Sequence, residues 1–319
     1  MYYIGVDLGG TNIAVGLVDK EGQILHQDSV PTGVGRPYEM ILKDMADLVK
    51  KVVADSGHTM AEIESVGVGS PGAADTEKGE IVFANNLYWH FVPVRAELQK
   101  HLGAIPVSID NDANVAALAE MVAGSAKGRR DVILLTLGTG VGGGVIVGGR
   151  IVGGHHHVGA EIGHMITVTD GEMCTCGNRG CFERYTSATA LIRMGRQAVV
   201  DNPGSAIHVA VGGDMEKVTA KVVLDAAKSG DIIAMEIFER YVHHLAMGIV
   251  SLINIFDPEV IALGGGVSKA GDFLLDAVRA EVEKHIFYKD IPHAEITISP
   301  LGNEAGIIGA AMLGAMGQI

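Results

Sequence analysis

DVILLTLGTGVGGGVIVGGRIV, residues Asp131–Val152, is the stretch on which the fold turns. Gly138, Gly140 and Gly143 spell G-x-G-x-x-G after an apolar strand, and Glu161 supplies an acid downstream, so a dinucleotide-binding unit is the first candidate. That fingerprint holds a pyrophosphate only where the glycines open a helix, because the helix N-terminus supplies the N–H groups. Here the chain resumes as strand at Val145–Val147, turns at Gly148-Gly149 and continues at Arg150–Val152, so the dinucleotide reading is rejected. No G-x-x-x-x-G-K-[ST] occurs either. The stretch instead repeats the N-terminus, YIGVDLGGTNIAVGLVDKEGQILHQDS at Tyr3–Ser29. A strand at Tyr3–Leu8 stops at Gly9-Gly10, resumes at Ile13–Asp19, turns at Glu21-Gly22 and continues from Gln23. Two such meanders imply a duplicated fold. A cleft between two such halves would collect glycine loops from both sides and suit a polyphosphate.

Outward from the meanders, strands and helices alternate. Met45, Leu48, Val49, Val52 and Val53 have the spacing of one buried helical face, in a helix that begins beyond Pro37 and ends near Gly57. A strand at Ile63–Gly69 opens into Ser70-Pro71-Gly72, and one at Ile105–Ile109 opens into Asp110-Asn111-Asp112 ahead of a helix over Val115–Val122. Helices are expected over Ala188–Val199, Lys217–Ala227 and Ile232–Phe256. A strand at Pro258–Leu263 then runs into Gly264-Gly265-Gly266, followed by a helix (Phe273–Lys284), a strand (Ala294–Ile298) and a closing helix (Ala305–Met316).

With 319 residues the chain is long enough for two domains at about 150 residues each. Aromatic residues make up only 5% while glycines number 44, so the core is built from Val, Ile, Leu, Ala and Met, a mixture that suits an α/β class. A formal charge of -14 argues against a nucleic-acid footprint, which needs clustered Lys and Arg. The N-terminus runs straight into a strand with no basic or long apolar leader, and no apolar run approaches a membrane span, so neither secretion nor a membrane partner is expected.

All three cysteines fall between Glu161 and Glu183, in EIGHMITVTDGEMCTCGNRGCFE. Cys174, Cys176 and Cys181 follow C-x-C-x4-C, and His164 precedes them. Three thiolates and one imidazole complete a tetrahedral shell, and a zinc site with no open position is structural. Cysteines committed to metal leave no disulfide framework and point to a reducing compartment, the cytoplasm. The loops Gly9-Gly10-Thr11-Asn12 and Gly138-Thr139-Gly140, small and placed alike in both halves, are candidates for phosphate contact through backbone N–H groups and the Thr11 and Thr139 hydroxyls. Asp112 follows a strand and begins a helix, so it is rigidly placed to accept a proton from a hydroxyl nucleophile. N-capping competes for Asp110, Asn111 and Asp112 alike. His155-His156-His157 reads as a solvated or ligand-adjacent loop, with a second metal site the lesser alternative, and Trp89, near Asn85 and Asn86, reads as packing first and as lid packing or a ligand contact second.

The chain resembles the ROK family of sugar kinases, and within it those acting on glucose. The residues are DLGGTN (Asp7–Asn12), NDAN (Asn111–Asn114), LGTGVGGG (Leu137–Gly144), EIGH (Glu161–His164), C-x-C-G-x-x-G-C-x-E (Cys174–Glu183) and LGGG (Leu263–Gly266). Each alone is weak, and together they span nearly the whole chain. The resemblance implies a two-domain actin-like and hexokinase-like ATPase fold, duplicated RNase H-like domains with an interdomain cleft. Residues 1–112 with 303–319 would form a smaller N-terminal domain, and 113–302 a larger one bearing the zinc insertion. It further implies ATP and Mg2+ as cofactors, structural Zn2+, and phosphorylation of glucose at the 6-hydroxyl, with mannose, fructose or an N-acetylhexosamine as alternatives. By matching position, Asp112 is the general base, with Gly72, Asn111, Asp112, Glu161, His164 and Glu183 on the sugar. Asp7, Gly9, Gly10, Thr11, Asn12, Gly138, Thr139, Gly140, Gly264, Gly265 and Gly266 would face the Mg-nucleotide. Homodimers are expected, with tetramers the alternative. ROK transcriptional regulators share the zinc stretch but carry an N-terminal helix-turn-helix, for which a chain starting two residues before its first strand is expected to have no room.

Overall fold

The computed structural model describes residues 1–315. Three antiparallel strands open the chain, β1 (Tyr2–Leu8), β2 (Asn12–Asp19) and β3 (Ile24–Pro31), followed by α1 (Tyr38–Asp55) and β4 (Ile63–Ser70). Short strands β5 (Ala73–Asp75), β6 (Glu80–Ala84) and β7 (Trp89–Val92) form a separate sheet, and α2 (Val94–Leu102) leads to β8 (Val107–Asn111) and α3 (Asp112–Ala123). The second meander is β9 (Val132–Leu137), β10 (Val141–Val147) and β11 (Arg150–Ile151). After it come α4 (Glu183–Thr186), α5 (Ala188–Asp201), α6 (Ala206–Val211), α7 (Ala220–Lys228), α8 (Ile232–Phe256), β12 (Val260–Gly264), α9 (Gly265–Ser268), α10 (Asp272–His285), β13 (Glu295–Ile298) and α11 (Ala305–Ala315).

The duplication is explicit in the strand orders, β3-β2-β1-β4-β8 in one sheet and β11-β10-β9-β12-β13 in the other. In each, the meander occupies one side and later strands extend the other, β4 and β8 running parallel to β1 and to each other, and β13 parallel to β12. Parallel neighbours need crossover helices, which α1, α2 and α10 supply.

Glycines set how closely α11 can lie on the first sheet. A Cβ at Gly5 of β1 would sit 1.8 Å from the Ile307 carbonyl oxygen, one at Gly67 of β4 would sit 1.8 Å from that of Ala310, and Gly309 of α11 stands in the same relation to Val115 of α3 at 1.7 Å. The obstacles are backbone atoms that no rotamer change can clear. Gly67→Ala is therefore expected to cost at least about 1–3 kcal/mol, the usual range for overpacking. Thermal unfolding checks this, and a melting temperature equal to that of the parent would show that α11 can lift without penalty. On its other face the sheet buries Ile4, Val6 and Leu8 with Ile41, Leu42, Met45 and Val49 of α1.

Several elements differ from expectation. β10 begins at Val141, four residues earlier than the sequence suggested, so Gly142-Gly143-Gly144 are strand. The reason is close approach: a Cβ at Gly143 would meet the Ile162 side chain at 2.6 Å, and one at Gly144 the Ala113 carbonyl oxygen at 2.5 Å. α7 begins at Ala220, where the Thr219 hydroxyl accepts the Val222 N–H at 3.2 Å; the expected start near Lys217 is a separate turn, Met215–Lys217. Trp89 is buried in β7 and meets Tyr38 edge to face at 6.5 Å, a packing role. In the loop His155–His157, His157 Nδ1 lies 3.2 Å from the Thr76 hydroxyl.

By packing, the described residues form two compact units, residues 1–134, 144–160 and 300–315, and residues 135–143 and 161–299. Within the first unit α3 and α11 pack closely through glycine. Residues 316–319, which include the end of the expected closing helix and of the expected smaller domain, lie outside the described residues. Among the described residues no helix is long and apolar enough to cross a membrane.

Candidate active site

In the first unit, the end of β8 divides three polar residues among three tasks. Asn111 is the N-cap of α3: its Oδ1 accepts from the Ala113 N–H at 2.8 Å and the Asn114 N–H at 3.4 Å. Its Nδ2 donates to the Gly72 carbonyl at 2.9 Å, fixing the side chain from the opposite end. Gly72 has φ +87°, and a Cβ there would lie 2.0 Å from the Phe83 carbonyl oxygen, so this contact admits only glycine. Asp110 is buried, accepts from the Asn111 N–H at 2.6 Å and from Asn114 Nδ2 at 2.8 Å, and burial raises its carboxyl above the usual range. Asp112, the first residue of α3, remains exposed, with Oδ1 accepting the Ala113 N–H at 2.8 Å. The competition for the cap thus resolves onto Asn111, with Asp112 exposed beside it.

Asp7 lies on β1 of the same unit, and burial first, then the negative charge of Asp112, pushes its carboxyl up to about 6. Gly306 of α11 makes its room, since a Cβ there would stand 2.6 Å from Asp7 Cγ. Two carboxylates that oppose each other's ionisation are a fitting donor set for a hard divalent cation, which favours oxygen ligands and relieves the repulsion. The adjoining loop closes by Gly9 N–H donating to the Asn12 carbonyl at 2.9 Å, and Thr11 and Asn12 are exposed.

The second unit carries the matching loop, closed by Gly138 N–H donating to the Gly140 carbonyl at 3.0 Å, with Thr139 exposed. Each loop has a threonine buttress that the sequence did not mark: Thr32 Oγ1 donates to the Gly9 carbonyl at 2.6 Å, and Thr189 Oγ1 to the Thr139 carbonyl at 2.7 Å. The signal was present only as a hydroxyl after a strand or at a helix start, too common to select alone. Gly265, φ +83°, backs onto the end of β9, where its Cβ would meet Leu137 backbone atoms at 2.6 Å; Gly264 closes β12, and Gly265 and Gly266 open α9.

Glu161 is exposed and precedes the single turn Ile162–His164, closed by the His164 N–H on the Glu161 carbonyl at 2.9 Å. Glu183 opens α4 and faces two ways. Its Oε1 lies 3.1 Å from Cys174 Sγ and 4.0 Å from His164 Nδ1, while Oε2 lies 3.4 Å from the Val141 N–H at the end of the glycine loop.

One ligand atom from each of His164, Cys174, Cys176 and Cys181 falls within 4.8 Å of the others. The Cys176 and Cys181 sulfurs are 3.6 Å apart, and Cys174 Sγ is 3.8 Å from His164 Nδ1. Zn–S bonds of about 2.3 Å at tetrahedral angles put sulfurs about 3.8 Å apart, so the cluster fits zinc as it stands. The knuckle is shaped by bridges pairing Ile166 with Cys181 and Met173 with Arg179. At Gly180, φ +78°, a Cβ would lie 1.7 Å from the Val168 carbonyl oxygen. Phe182, fully buried, anchors the knuckle against α8, where Gly248 makes space for its ring. Burial first, then hydrogen bonds with Cys176 and Cys174, pushes the Cys181 thiol up to about 12; a divalent cation reverses that logic, because thiolates are its ligands.

The sequence matches the ROK family over residues 3–316. It is 40% identical to the glucokinase of Thermotoga maritima across 97% of this chain and 96% of that protein, and 38% identical to the glucokinase of Streptomyces coelicolor across 97% and 96%. A ROK family glucokinase from Streptomyces griseus, solved in complex with glucose and AMPPNP, superposes with a TM-score of 0.80 at 37% identity, covering 98% of this chain and 99% of that one. The mixed α/β, two-domain hexokinase-like class expected from the motifs is the class of these neighbours.

Proposed function

The chain belongs to the ROK family, and from that premise we propose that it phosphorylates glucose at the 6-hydroxyl with ATP as donor. The observation that carries the reading is the division of labour at β8–α3: Asn111 caps and Asp110 is buried, so Asp112 is the carboxylate left exposed. The glucokinases similar to this chain over nearly its full length support it.

In the proposed reaction Asn111, held by Gly72, and Glu161, His164 and Glu183 bind ring hydroxyls, while Asp112 accepts the proton of the attacking hydroxyl late in the step. The sugar oxygen forms its bond to the γ-phosphorus as the bond to the β-γ bridging oxygen breaks, and ADP leaves. Gly9–Asn12 and Gly138–Gly140 present backbone N–H groups and the two threonine hydroxyls to the phosphates, and Gly264–Gly266 lie along the nucleoside. Asp7, with Asp112 nearby, would hold Mg2+, which supplies charge neutralisation on the transferring phosphoryl group. His164, Cys174, Cys176 and Cys181 would hold structural Zn2+, whose part is to fix His164 and Glu183 rather than to touch the phosphate. By analogy with its family we place the enzyme in the cytoplasm as a homodimer.

A coupled assay with ATP across glucose, mannose, fructose and N-acetylglucosamine tests the proposal. Glucose should give the highest kcat/KM. A higher value for an N-acetylated sugar would reassign the substrate, and no turnover with any hexose would remove the kinase reading.

A further inference from the structure

In the second unit α8 and α10 pack along each other, and at their solvent edge His243 of α8 meets Glu281 and His285 of α10. His243 Nδ1 lies 2.8 Å from Glu281 Oε1, and His285 Nε2 lies 3.3 Å from the same oxygen. One ligand atom from each of the three falls within 4.8 Å of the others, and the imidazoles meet edge to face with centroids 5.8 Å apart. We infer that His243, Glu281 and His285 form a second metal site, a two-histidine, one-carboxylate face for a divalent first-row transition-metal ion.

The donor chemistry selects that class. Imidazole nitrogen with carboxylate oxygen suits Zn2+, Ni2+ and Cu2+, in contrast to the thiolate-rich knuckle at Cys174–Cys181. Bonds of about 2.1 Å meeting near right angles place ligand atoms about 3 Å apart, close to the two nitrogen–oxygen separations. Glu281 and His285 stand four residues apart on one helical face, while His243 comes from the facing helix, so only the folded chain presents the set. The Glu281 side chain is 18% exposed and those of His243 and His285 are 51% and 39% exposed, so an ion can enter and keep water on its remaining positions. Lys284 Nζ lies 2.8 Å from Glu281 Oε2, the oxygen turned from the histidines; its charge opposes a cation and moderates affinity without occupying the ligand atom. His244 packs against Tyr185 with the ring centroids 4.5 Å apart and the planes tilted by 34°, and is committed there.

The test titrates the whole zinc-loaded chain with Ni2+ alone by calorimetry and follows thermal unfolding. The parent should bind one equivalent that His243→Ala and His285→Ala lose by at least about a hundredfold in affinity, since even outer partners of metal ligands cost tenfold to a hundredfold. Ni2+ should raise the melting temperature of the parent and of neither variant, because the ion bridges two helices only in the native state. Retained sugar phosphorylation shows that both variants fold. Lys284→Ala should tighten binding, and unchanged or weaker binding in it would overturn Glu281 as a ligand. An equal stoichiometry in parent and variants, as binding at His155–His157 would give, overturns the site.

Discussion

Asp112→Asn is expected to lower kcat by about 10²–10⁴, the range attributed to a positioned general base, while sugar affinity stays within a few-fold of the parent. The substitution is nearly isosteric, and the surroundings of residue 112 explain why its effect should be confined to chemistry. Asn111 remains the cap of α3, and Asp110 remains buried on Asn114. Removing a negative charge from the first turn of a helix costs only about 0.3–1 kcal/mol, and relieving its repulsion of Asp7 offsets part of that. Phosphoryl transfer leaves little for a base to do early in the step, so the lower part of the range would still be consistent with the role. Turnover and calorimetric glucose binding on the same preparation separate the outcomes. Near-parental kcat would remove Asp112 as the base, whereas a loss of sugar affinity equal to the loss of kcat would make it a binding residue instead.

The duplicated architecture was legible because both meanders write it in the same local code, strand, glycine loop, strand, turn, strand, and the two sheets share one strand order. Where reading failed, the cause was contact across the chain. Gly142–Gly144 look like loop in sequence, yet they are strand because Ile162 and Ala113 need the space of the missing Cβ atoms. β5, β6 and β7, three to five residues each, are too short for a period to show, and the expected start of α7 missed the Thr219 cap. The site was legible as motifs and not as roles. Asp110, Asn111 and Asp112 are equivalent N-cap candidates on paper, and only the folded chain separates them, by burying Asp110, bonding Asn111 to the helix N–H groups and leaving Asp112 exposed. Thr32 and Thr189 were invisible because a hydroxyl bonded to a loop carbonyl leaves no spacing rule. His243 has no sequence signal of its own, since the two residues it meets lie on another helix.

Cys176→Ser is expected to abolish metal binding at the knuckle and to weaken sugar binding with it, while leaving most of the helical content in place. Structural zinc contributes on the order of 10 kcal/mol in small sites, where it substitutes for a core. Here the knuckle stands on a large body: Phe182 is buried against α8, and the Tyr241 hydroxyl donates to the Thr186 carbonyl at 2.7 Å from within the core. Loss of metal should therefore release the stretch from His164 to Cys181 without unfolding α5, α7, α8 and α10. The consequence for sugar follows from position. His164 is itself one of the four proposed ligands, and Glu183 holds Oε1 against Cys174 and Oε2 toward the Val141 N–H. A knuckle without its ion frees both proposed sugar ligands and loosens a contact to the glycine loop, so glucose affinity should fall by about 10–100-fold, the usual effect of disturbing groups around a metal. Elemental analysis, far-ultraviolet circular dichroism and glucose binding on one preparation decide the matter. Full zinc occupancy in the variant would show that the other three ligands suffice, parental glucose affinity without metal would disconnect the knuckle from recognition, and lost helicity would make it a folding element.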